Sequence, residues 1–146
     1  MAEVLQAPHR LEFPYTRSTG PIVGRFMAGL RDQRILGIRG ADDRVIVPPQ
    51  EYDPVTAETL GPDRMLDVGT EGTVTSWSWN PEPRHGQPLD GHFAWALVLL
   101  DGADTPMLHA VRVASAEDMS TGMRVAVEWA DERTGSIHDI ACFAPA

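Results

Sequence analysis

The chain has 146 residues, of which 42% are hydrophobic and 23% charged, and its net charge is −9. This length predicts one domain, or one domain with an N-terminal appendage, and the composition excludes a wholly disordered chain. Residues 1–44 carry a net charge of +2 and the remainder carries −11, so the acidic body would repel nucleic-acid phosphates and we expect no nucleic-acid partner.

The N-terminal part of the chain is predicted to be an extended arm followed by a helix. Residues 1–20 are mostly polar and contain two prolines, which favours an arm without regular structure. Between Pro21 and Asp32, apolar residues recur at spacings of three and four, the pattern of one face of a three-turn helix. The residues that form this face are Ile22, Val23, Phe26, Met27 and Leu30.

A short hairpin is predicted after the helix. Residues 35–38 and 45–47 are apolar and lie on either side of a Gly-Ala-Asp-Asp turn signal. The second segment runs into Pro48-Pro49, where a strand ladder cannot continue. Residues 53–65 contain two further prolines and are predicted to be a connection. We therefore divide the chain into an N-terminal region, residues 1–65, and a second domain, residues 66–146.

The second domain is predicted to be a barrel of five strands. Alternation at residues 73–79 places Thr75, Trp77 and Trp79 on one face and Val74 on the other. Residues 93–100 are apolar on both faces, as in a central strand. The remaining strands are predicted at residues 107–113, 123–129 and 137–143. Five strands with short turns and one long excursion at residues 80–91 indicate a partly open Greek-key barrel of the OB type.

Cellular location is predicted from what the chain lacks. Its longest apolar run, residues 93–100, is far shorter than the roughly 20 residues that span a bilayer. The first six residues lack the basic and apolar regions of a signal peptide. The single cysteine, Cys142, permits no disulfide within the chain. We therefore expect a cytoplasmic protein with no membrane contact.

Residues 39–56 carry the most informative motif, Arg-Gly-Ala-Asp-Asp-Arg-Val-Ile-Val-Pro-Pro-Gln-Glu-Tyr-Asp-Pro-Val-Thr. This segment resembles the ribbon of the zinc-ribbon/OB-fold proteins, a former domain of unknown function that accompanies acyl-CoA thiolases and lipid-transfer-type aldolases. That family has a short helix, a Cys-x-x-Cys-Gly turn, a double proline, a Cys-Pro-x-Cys segment and then the barrel. Laid on this chain, its four metal positions fall at Arg39, Asp42, Asp53 and Thr56.

Further landmarks extend this resemblance over roughly residues 20–144. One landmark is the Phe-Met-Ala-Gly-Leu end of the helix, residues 26–30. The others are three barrel segments, at residues 72–74, 96–102 and 122–125. The resemblance implies a mainly β protein. It would have a five-stranded OB-fold barrel preceded by an N-terminal helix and a cysteine-less, rubredoxin-like ribbon hairpin.

The vestigial metal positions predict that zinc is absent. A structural zinc site needs four ligands, usually thiolates and imidazoles. Arg39 cannot be a ligand, Thr56 would be a poor one, and Asp42 and Asp53 supply only two carboxylates. The folding free energy that zinc would contribute must then come from packing or from a partner. We hypothesise that an ion pair from Arg39 to Asp42 or Asp53 bridges the former site.

The histidines and the cysteine offer no convincing catalytic site. His92 beside Asp90 could form a general base with a carboxylate that orients it, but no nucleophile lies at a meaningful spacing. We favour His85 and His92 as polar loop residues at a partner surface. His109 and His138 fall within predicted strands and are expected to be satisfied structural histidines. Cys142 is expected to be a small buried or edge residue.

Two groups of residues are candidates for contact with a partner or with coenzyme A. Trp77 and Trp79 could stack on nucleic-acid bases, but packing in the core or at a protein interface is favoured. Arg25, Arg31 and Arg34 lie on or just after the predicted helix. They could face the 3′-phosphate and pyrophosphate of coenzyme A or an acidic groove on a partner, and a solvated helix face remains an equal alternative.

The resemblance implies a non-catalytic accessory subunit of a thiolase-fold acyl-CoA aldolase, in a heterotetramer or similar hetero-oligomer. Such a subunit binds no cofactor of its own, and the complex acts on a coenzyme A thioester. The Pro-His-Arg-Leu-Glu-Phe-Pro-Tyr arm, residues 8–15, resembles the branch that degrades steroid side chains. Two alternatives stay open: an independent acyl-CoA-binding or acyl-transfer protein, and a single-stranded nucleic-acid binder.

Overall fold

A computed structural model describes Val4 and residues 6–146. Part of the segment on which the signal-peptide prediction rests, residues 1–3 and 5, lies outside this description. The described residues form one α-helix and eight strands: α1 Gly20–Arg31, β1 Ile35–Arg39, β2 Val45–Ile46, β3 Met65–Val68, β4 Glu71–Asn80, β5 Phe93–Leu100, β6 Met107–Val111, β7 Arg124–Trp129 and β8 Ile140–Pro145. Short 3-10 helices occupy Pro62–Arg64, Ala116–Asp118 and Ile137–Asp139.

Helix α1 follows an arm, residues 6–19, that has no regular secondary structure and is exposed throughout. The helix lies within one residue of its predicted bounds, and Pro21 occupies its first turn, where a missing N–H costs nothing. Its buried face carries Ile22, Phe26 and Leu30, as the spacing predicted. The described helix is too short to cross a membrane, and no helix in this part of the chain is long and apolar enough to do so.

The predicted hairpin is confirmed, and a third strand joins it. β1 pairs antiparallel with β2 on one side and with β3 on the other, so the sheet order is β2-β1-β3. The register places Ile38 opposite Ile46 and Ile35 opposite Val68. The division of the chain between residues 65 and 66 stays a prediction, but β3 lies at this boundary and completes the N-terminal sheet.

Strands β4 to β8 form the predicted five-stranded barrel, in the order β4-β5-β6-β8-β7 with β7 returning to β4. The barrel is closed, so the prediction of a partly open barrel was wrong. Closure comes from a short parallel contact between β6 and β8, at Val111 and Phe143. The N–H of the next residue, Arg112, donates to the carbonyl of Phe143 at 2.8 Å.

A β-bulge in β4 corrects the predicted faces of that strand. The pairing with β5 shifts between Val74 and Ser76, so Thr75 is an extra residue in the ladder. Its hydroxyl donates to the carbonyl of Leu97 at 3.1 Å. The shift brings Trp77 and Trp79 onto the same side as Val74, where all three contact one buried cluster. The predicted grouping of Thr75 with the two tryptophans was therefore wrong.

The N-terminal region and the barrel share one hydrophobic core, which we call the main core. We call the three-stranded sheet β2-β1-β3 and its loops, residues 35–68, the ribbon. Buried side chains from α1 and from the ribbon belong to the same cluster as those inside the barrel. The N-terminal members are Phe26, Leu30, Ile35, Val45 and Val47; the barrel and its loops supply Val74, Ala94, Ala96, Val98, Leu100, Met107, Val111, Val113, Met119, Val125, Ile140 and Phe143. Packing across the two parts thus stabilises both of them.

Hydrogen bonds fix the ribbon on the turn between β5 and β6. The N–H of Val45 donates to the Asp104 carboxylate at 2.8 Å, and the N–H of Asp104 returns a bond to the carbonyl of Val45 at 2.8 Å. The Thr105 hydroxyl accepts from the N–H of Val47 at 2.8 Å and donates to its carbonyl at 3.1 Å. Because β2 is an edge strand, these bonds also satisfy backbone groups that would otherwise be open.

Candidate functional site

The ribbon has two turns, which we call the first knuckle (residues 39–44) and the second knuckle (residues 53–58). The Asp53 carboxylate joins them. It is 3% exposed, and Oδ2 accepts a bond from the N–H of Ala41 at 2.8 Å. Oδ1 accepts bonds from the N–H groups of Val55 and Thr56, each at 2.9 Å. These backbone hydrogen bonds lower the pKa of Asp53 to about 2. A single side chain therefore joins the first and second knuckles.

The hypothesised ion pair from Arg39 to Asp42 or Asp53 is wrong. A guanidinium N–H of Arg39 donates to the backbone carbonyl of Asp43 at 3.2 Å. The Asp42 carboxylate instead pairs with Arg44 at 2.5 Å, which lowers the pKa of Asp42. The physical reason is competition: the Asp53 oxygens are occupied by three N–H donors, and Arg44 lies closer to Asp42 along the chain.

These residues do not fit a zinc ion. Of the four family positions, only Asp53 is a buried potential ligand, and its oxygens already accept backbone hydrogen bonds. Within Val4 and residues 6–146, no group of three or more His, Cys, Asp or Glu side chains could hold a metal. A Cβ added at Gly40 would lie 2.8 Å from Asp53 Oδ2, so the carboxylate occupies space that only glycine leaves open. That this chain binds no zinc stays a prediction.

The three candidate arginines have different surroundings. Arg34 forms two bonds to the Asp67 carboxylate, at 2.9 and 2.7 Å, which raise the pKa of Arg34 and lower that of Asp67. Arg31 lies beside Asp32, with 3.5 Å between their side chains. Arg25 is exposed and borders the same shallow cavity of about 320 Å³ as Arg34 and Asp67. Among the described residues, Arg25 is therefore the one of the three arginines for which no ion pair is found.

The remaining contact candidates are Trp77, Trp79, His85 and His92, of which only Trp79 and His92 have rings in contact. Trp77 and Trp79 are half-buried against the main core. The Trp79 ring lies 5.4 Å from the exposed His92 ring, measured between centroids. His85 is exposed in the excursion between β4 and β5. The structure thus brings Trp79 and His92 together and leaves His85 apart.

Neither of the reactive groups weighed from the sequence is prepared for catalysis. His92 Nε2 lies 2.8 Å from the carbonyl oxygen of Ala114, so this nitrogen must be protonated and donate. Burial, followed by the nearby Glu128 carboxylate, raises the pKa of Cys142 to about 12. The thiol, 3.3 Å from Glu128 Oε2, is therefore protonated at neutral pH and a poor nucleophile.

An apolar cavity of about 470 Å³ opens on the barrel wall. It lies where β6 and the start of β8 separate, and the excursion covers one side. His109 contributes to its lining and is 6% exposed. Burial lowers the pKa of His109 and keeps the ring neutral. Among the described residues its Nδ1 atom is buried without a hydrogen-bond partner, so the expectation of a satisfied structural histidine was wrong.

Sequence reasoning missed the roles of Asp53 and His109. Asp53 begins an Asx-type turn, a signal that could have been found because Asp followed by Pro often accepts from N–H groups two and three residues on. The bond from Ala41 depends on the fold and has no local signal. For His109, its place within a predicted strand favoured a structural histidine, and the separation of β6 from β8 cannot be read from either strand.

The exposed apolar side chains are concentrated in the arm. Leu11, Phe13 and Tyr15 are 71%, 74% and 84% exposed. They alternate with Glu12 and Pro14 along an arm that has no regular secondary structure. We call these three residues the arm stripe.

Comparisons with known proteins agree with this fold. Residues 67–130 match the family model described as "ChsH2, C-terminal OB-fold domain". The chain is similar to a solved structure described as the "Ltp2-ChsH2(DUF35) aldolase", with 18% identity, a TM-score of 0.60, and coverage of 83% of this chain and 91% of that one. No curated protein sequence matches the chain.

A second solved structure has the same fold. It is a DUF35-family protein of unknown function from Sulfolobus solfataricus, with 18% identity and a TM-score of 0.59. The match covers 75% of this chain and 77% of that one. Residues 67–130 are therefore similar to the ChsH2 C-terminal OB-fold domain, and along most of its length the chain shares the fold of these two solved structures.

Proposed function

We propose that this chain is a non-catalytic accessory subunit of an acyl-CoA aldolase complex, with a thiolase-fold, lipid-transfer-protein-type enzyme as its partner. The aldolase would cleave a 3-hydroxyacyl-CoA by a retro-aldol reaction, and the substrate would carry a steroid side chain. The complex would be a heterotetramer or similar hetero-oligomer. This chain would support the fold of the enzyme and shape the entrance for the coenzyme A thioester.

The arm stripe is the observation that carries this proposal. Three large apolar side chains lie exposed, at alternate positions, on an arm that has no regular secondary structure. Leaving such area in water is unfavourable, by roughly 25 cal/mol for each Å². Apolar and aromatic side chains of this kind are typical of the centre of a protein interface. A groove on a partner enzyme would cover them.

The comparisons support the nature of the partner. One structure with the same fold belongs to an aldolase described by two components, Ltp2 and ChsH2, and the matching family model is that of the ChsH2 OB-fold domain. A chain of this fold in an aldolase assembly is the precedent on which we rely. The high pKa of Cys142 and the donated proton of His92 Nε2 support a role outside the chemistry.

Arg25 supports a contribution to acyl-CoA access. It is exposed on α1, next to the Arg34–Asp67 pair, and its guanidinium is available for phosphate groups. Because Arg34 already binds the Asp67 carboxylate, we assign it a structural role in joining the α1–β1 connection to β3. Contact with the coenzyme A phosphates would therefore depend on Arg25 rather than on Arg34.

Co-expression with a thiolase-like aldolase subunit from the neighbouring gene tests the proposal. We expect the two chains to co-elute in size-exclusion chromatography and the pair to cleave 3-hydroxyacyl-CoA esters. Replacing the arm stripe by serine at all three positions should weaken the complex at least about tenfold, because hot-spot side chains each contribute more than about 1 kcal/mol. Leu97→Ser, on the outer face of β5 and 37% exposed, is the matched control and should bind normally.

Other outcomes would contradict the proposal. Activity of the isolated chain on acyl-CoA esters would favour an independent acyl-transfer protein. Salt-sensitive binding of single-stranded oligonucleotides would favour a nucleic-acid binder. If the arm-stripe variant bound the partner as tightly as Leu97→Ser does, the arm would not be part of the interface.

A further inference from the structure

The loop that carries the second knuckle presents large apolar side chains to the solvent. Tyr52 is 60% exposed and Val55 is 70% exposed, and Pro54 between them is also exposed. We call these three residues the knuckle tip. Unlike the arm stripe, they belong to a loop whose backbone is fixed by the fold.

Backbone hydrogen bonds close this loop beneath the knuckle tip. The N–H of Leu60 donates to the carbonyl of Glu51 at 2.9 Å, and the N–H of Asp53 donates to the carbonyl of Glu58 at 2.8 Å. The Asp53 carboxylate holds the same loop from inside. Because the loop is already ordered in the free chain, binding through it costs less conformational entropy than binding through a segment that must first be ordered.

The knuckle tip also lies near the point where the arm joins the folded part of the chain. Gly20 is the first residue of α1, and a Cβ at this position would collide with Glu51 Oε1. Ile22, in the first turn of α1, belongs to the same small buried cluster as Leu60. The residues that flank the loop on both sides are therefore close to the N-terminal turn of α1, and the arm begins beside the knuckle tip.

The charge of this loop is negative. Residues 50–60 contain three acidic residues, Glu51, Asp53 and Glu58, and no basic residue. Asp53 is buried, whereas Glu58 is exposed and Glu51 is half-buried. Within the described part of the chain, Glu51 and Glu58 form no ion pair. A surface that complements this loop is therefore apolar at its centre and basic at its rim.

We propose that the knuckle tip is a second anchor for the aldolase subunit and sits in an apolar socket rimmed by lysine or arginine side chains. This inference rests on the proposed function, because it assigns to the same partner a contact besides the arm stripe. Tyrosine is enriched among the residues that contribute most to binding, so we assign the centre of the contact to Tyr52. An arm alone would only tether the two proteins, whereas an ordered loop fixes the orientation of the barrel on the enzyme.

The proposal is tested by binding of the purified aldolase subunit from the neighbouring gene to the immobilised full-length chain, followed by surface plasmon resonance. The double variant Tyr52→Ser with Val55→Ser should bind at least about tenfold more weakly, mainly through faster dissociation. Leu108→Ser is the matched control, because Leu108 is also 60% exposed but lies on barrel strand β6. It should bind like the wild-type chain.

A second variant keeps the test decisive if the double variant fails to fold. Val55→Asp removes no buried side chain, and it places a charge in the apolar centre of the contact. It should therefore also weaken binding at least about tenfold. Circular dichroism of each variant confirms that the chain remains folded.

The basic rim is tested separately by removing one charge at a time. Glu58→Gln is compared with Glu132→Gln, which removes an exposed acid between β7 and β8. Between about 50 and 300 mM NaCl, the association rate of Glu58→Gln should fall less than that of Glu132→Gln. Equal salt dependence of the two variants would contradict the basic rim.

The outcomes separate this inference from the proposed function. If the wild-type chain does not bind the aldolase subunit, both fail. If the wild-type chain binds and the knuckle-tip variants bind as tightly as Leu108→Ser, this inference alone fails. Size-exclusion chromatography of the isolated chain covers the other occupant: a homodimer that the double variant dissociates would assign the knuckle tip to a second copy and overturn the proposal.

Discussion

The Asp53 carboxylate and the backbone N–H of Ala41 are joined by a hydrogen bond of 2.8 Å, although the two residues belong to different turns of the ribbon. The same carboxylate accepts from two N–H groups of its own turn, and it is nearly completely buried. Hydrogen bonds to one carboxylate thus join the two turns of the ribbon.

Removal of the Asp53 carboxylate should destabilise the ribbon. Asp53→Ala leaves three partly buried N–H groups without their acceptor, so we expect the melting temperature to fall by about 5 °C or more. Asp42→Asn is the control, because Asp42 is exposed and pairs only with Arg44 and its own turn; its melting temperature should change by less than about 2 °C. Circular dichroism measures both. Equal shifts would show that Asp53 does not anchor the knuckles.

The same carboxylate predicts a dependence of stability on pH. The pKa of Asp53 is about 2 in the folded chain against an ordinary value of 3.8. A depressed pKa means that its contribution is complete above pH 3.8 and is lost as the pH falls through about 2. The difference in melting temperature between wild type and Asp53→Ala should therefore be constant from pH 7 to about pH 5 and shrink towards pH 2. A difference that is independent of pH would contradict the assignment.

The shared main core predicts that the N-terminal region and the barrel unfold together. Leu30 on α1 is fully buried in a cluster with barrel residues. Leu30→Ala should lower the free energy of unfolding by about 2–5 kcal/mol. Tryptophan fluorescence should report this loss, because all four tryptophans lie in the barrel strands. Val55→Ala, at a position 70% exposed, is the control. An unchanged fluorescence transition in Leu30→Ala would mean that the barrel folds alone.

The close approach of β4 to β5 predicts that a larger residue at position 72 destabilises the barrel. A Cβ at this position would lie 2.5 Å from the carbonyl oxygen of Leu99 and 2.9 Å from the Cα of Leu100. Gly72→Ala should cost about 1–3 kcal/mol, since the backbone of β5 must move. Gly91→Ala, where the added carbon has open space, should change stability by less than about 1 kcal/mol. Urea denaturation compares the two variants.

Cys142 should react slowly with thiol reagents. Because its pKa is raised to about 12, we expect the folded chain at pH 8 to react with a disulfide reagent on the order of 1000-fold more slowly than the chain unfolded in urea. Glu128→Gln should raise the folded rate only partly, since burial is the larger cause of the shift. Comparable rates in the folded and unfolded chains would place the thiol at the surface.

Local patterns in the sequence predicted most of the fold. The helix was found from apolar spacing within one residue of its bounds, and β5 was found at its observed bounds because it is apolar on both faces. The bulge at Thr75 was missed because it depends on the register with β5. The third ribbon strand, β3, was missed because it pairs with a strand almost thirty residues earlier.

The candidate sites were harder to predict, because they depend on contacts between distant residues. Arg34 was grouped with Arg25 by position, yet its bond to Asp67 gives it a different role. Asp90 and His92 are neighbours in sequence, but the His92 ring nitrogen bonds to Ala114 instead. Charge and spacing identify candidates, whereas the partner of each group is set by the tertiary fold.

The knuckles held by Asp53 carry a consequence for the conditions in which the chain can work. Zinc–thiolate sites lose their metal when cysteines are oxidised, and they fold only where the metal is supplied. A carboxylate bonded to backbone N–H groups has neither vulnerability. With zinc absent, as predicted, the fold of this ribbon should be indifferent to chelators and to metal starvation, and strong acid should weaken it.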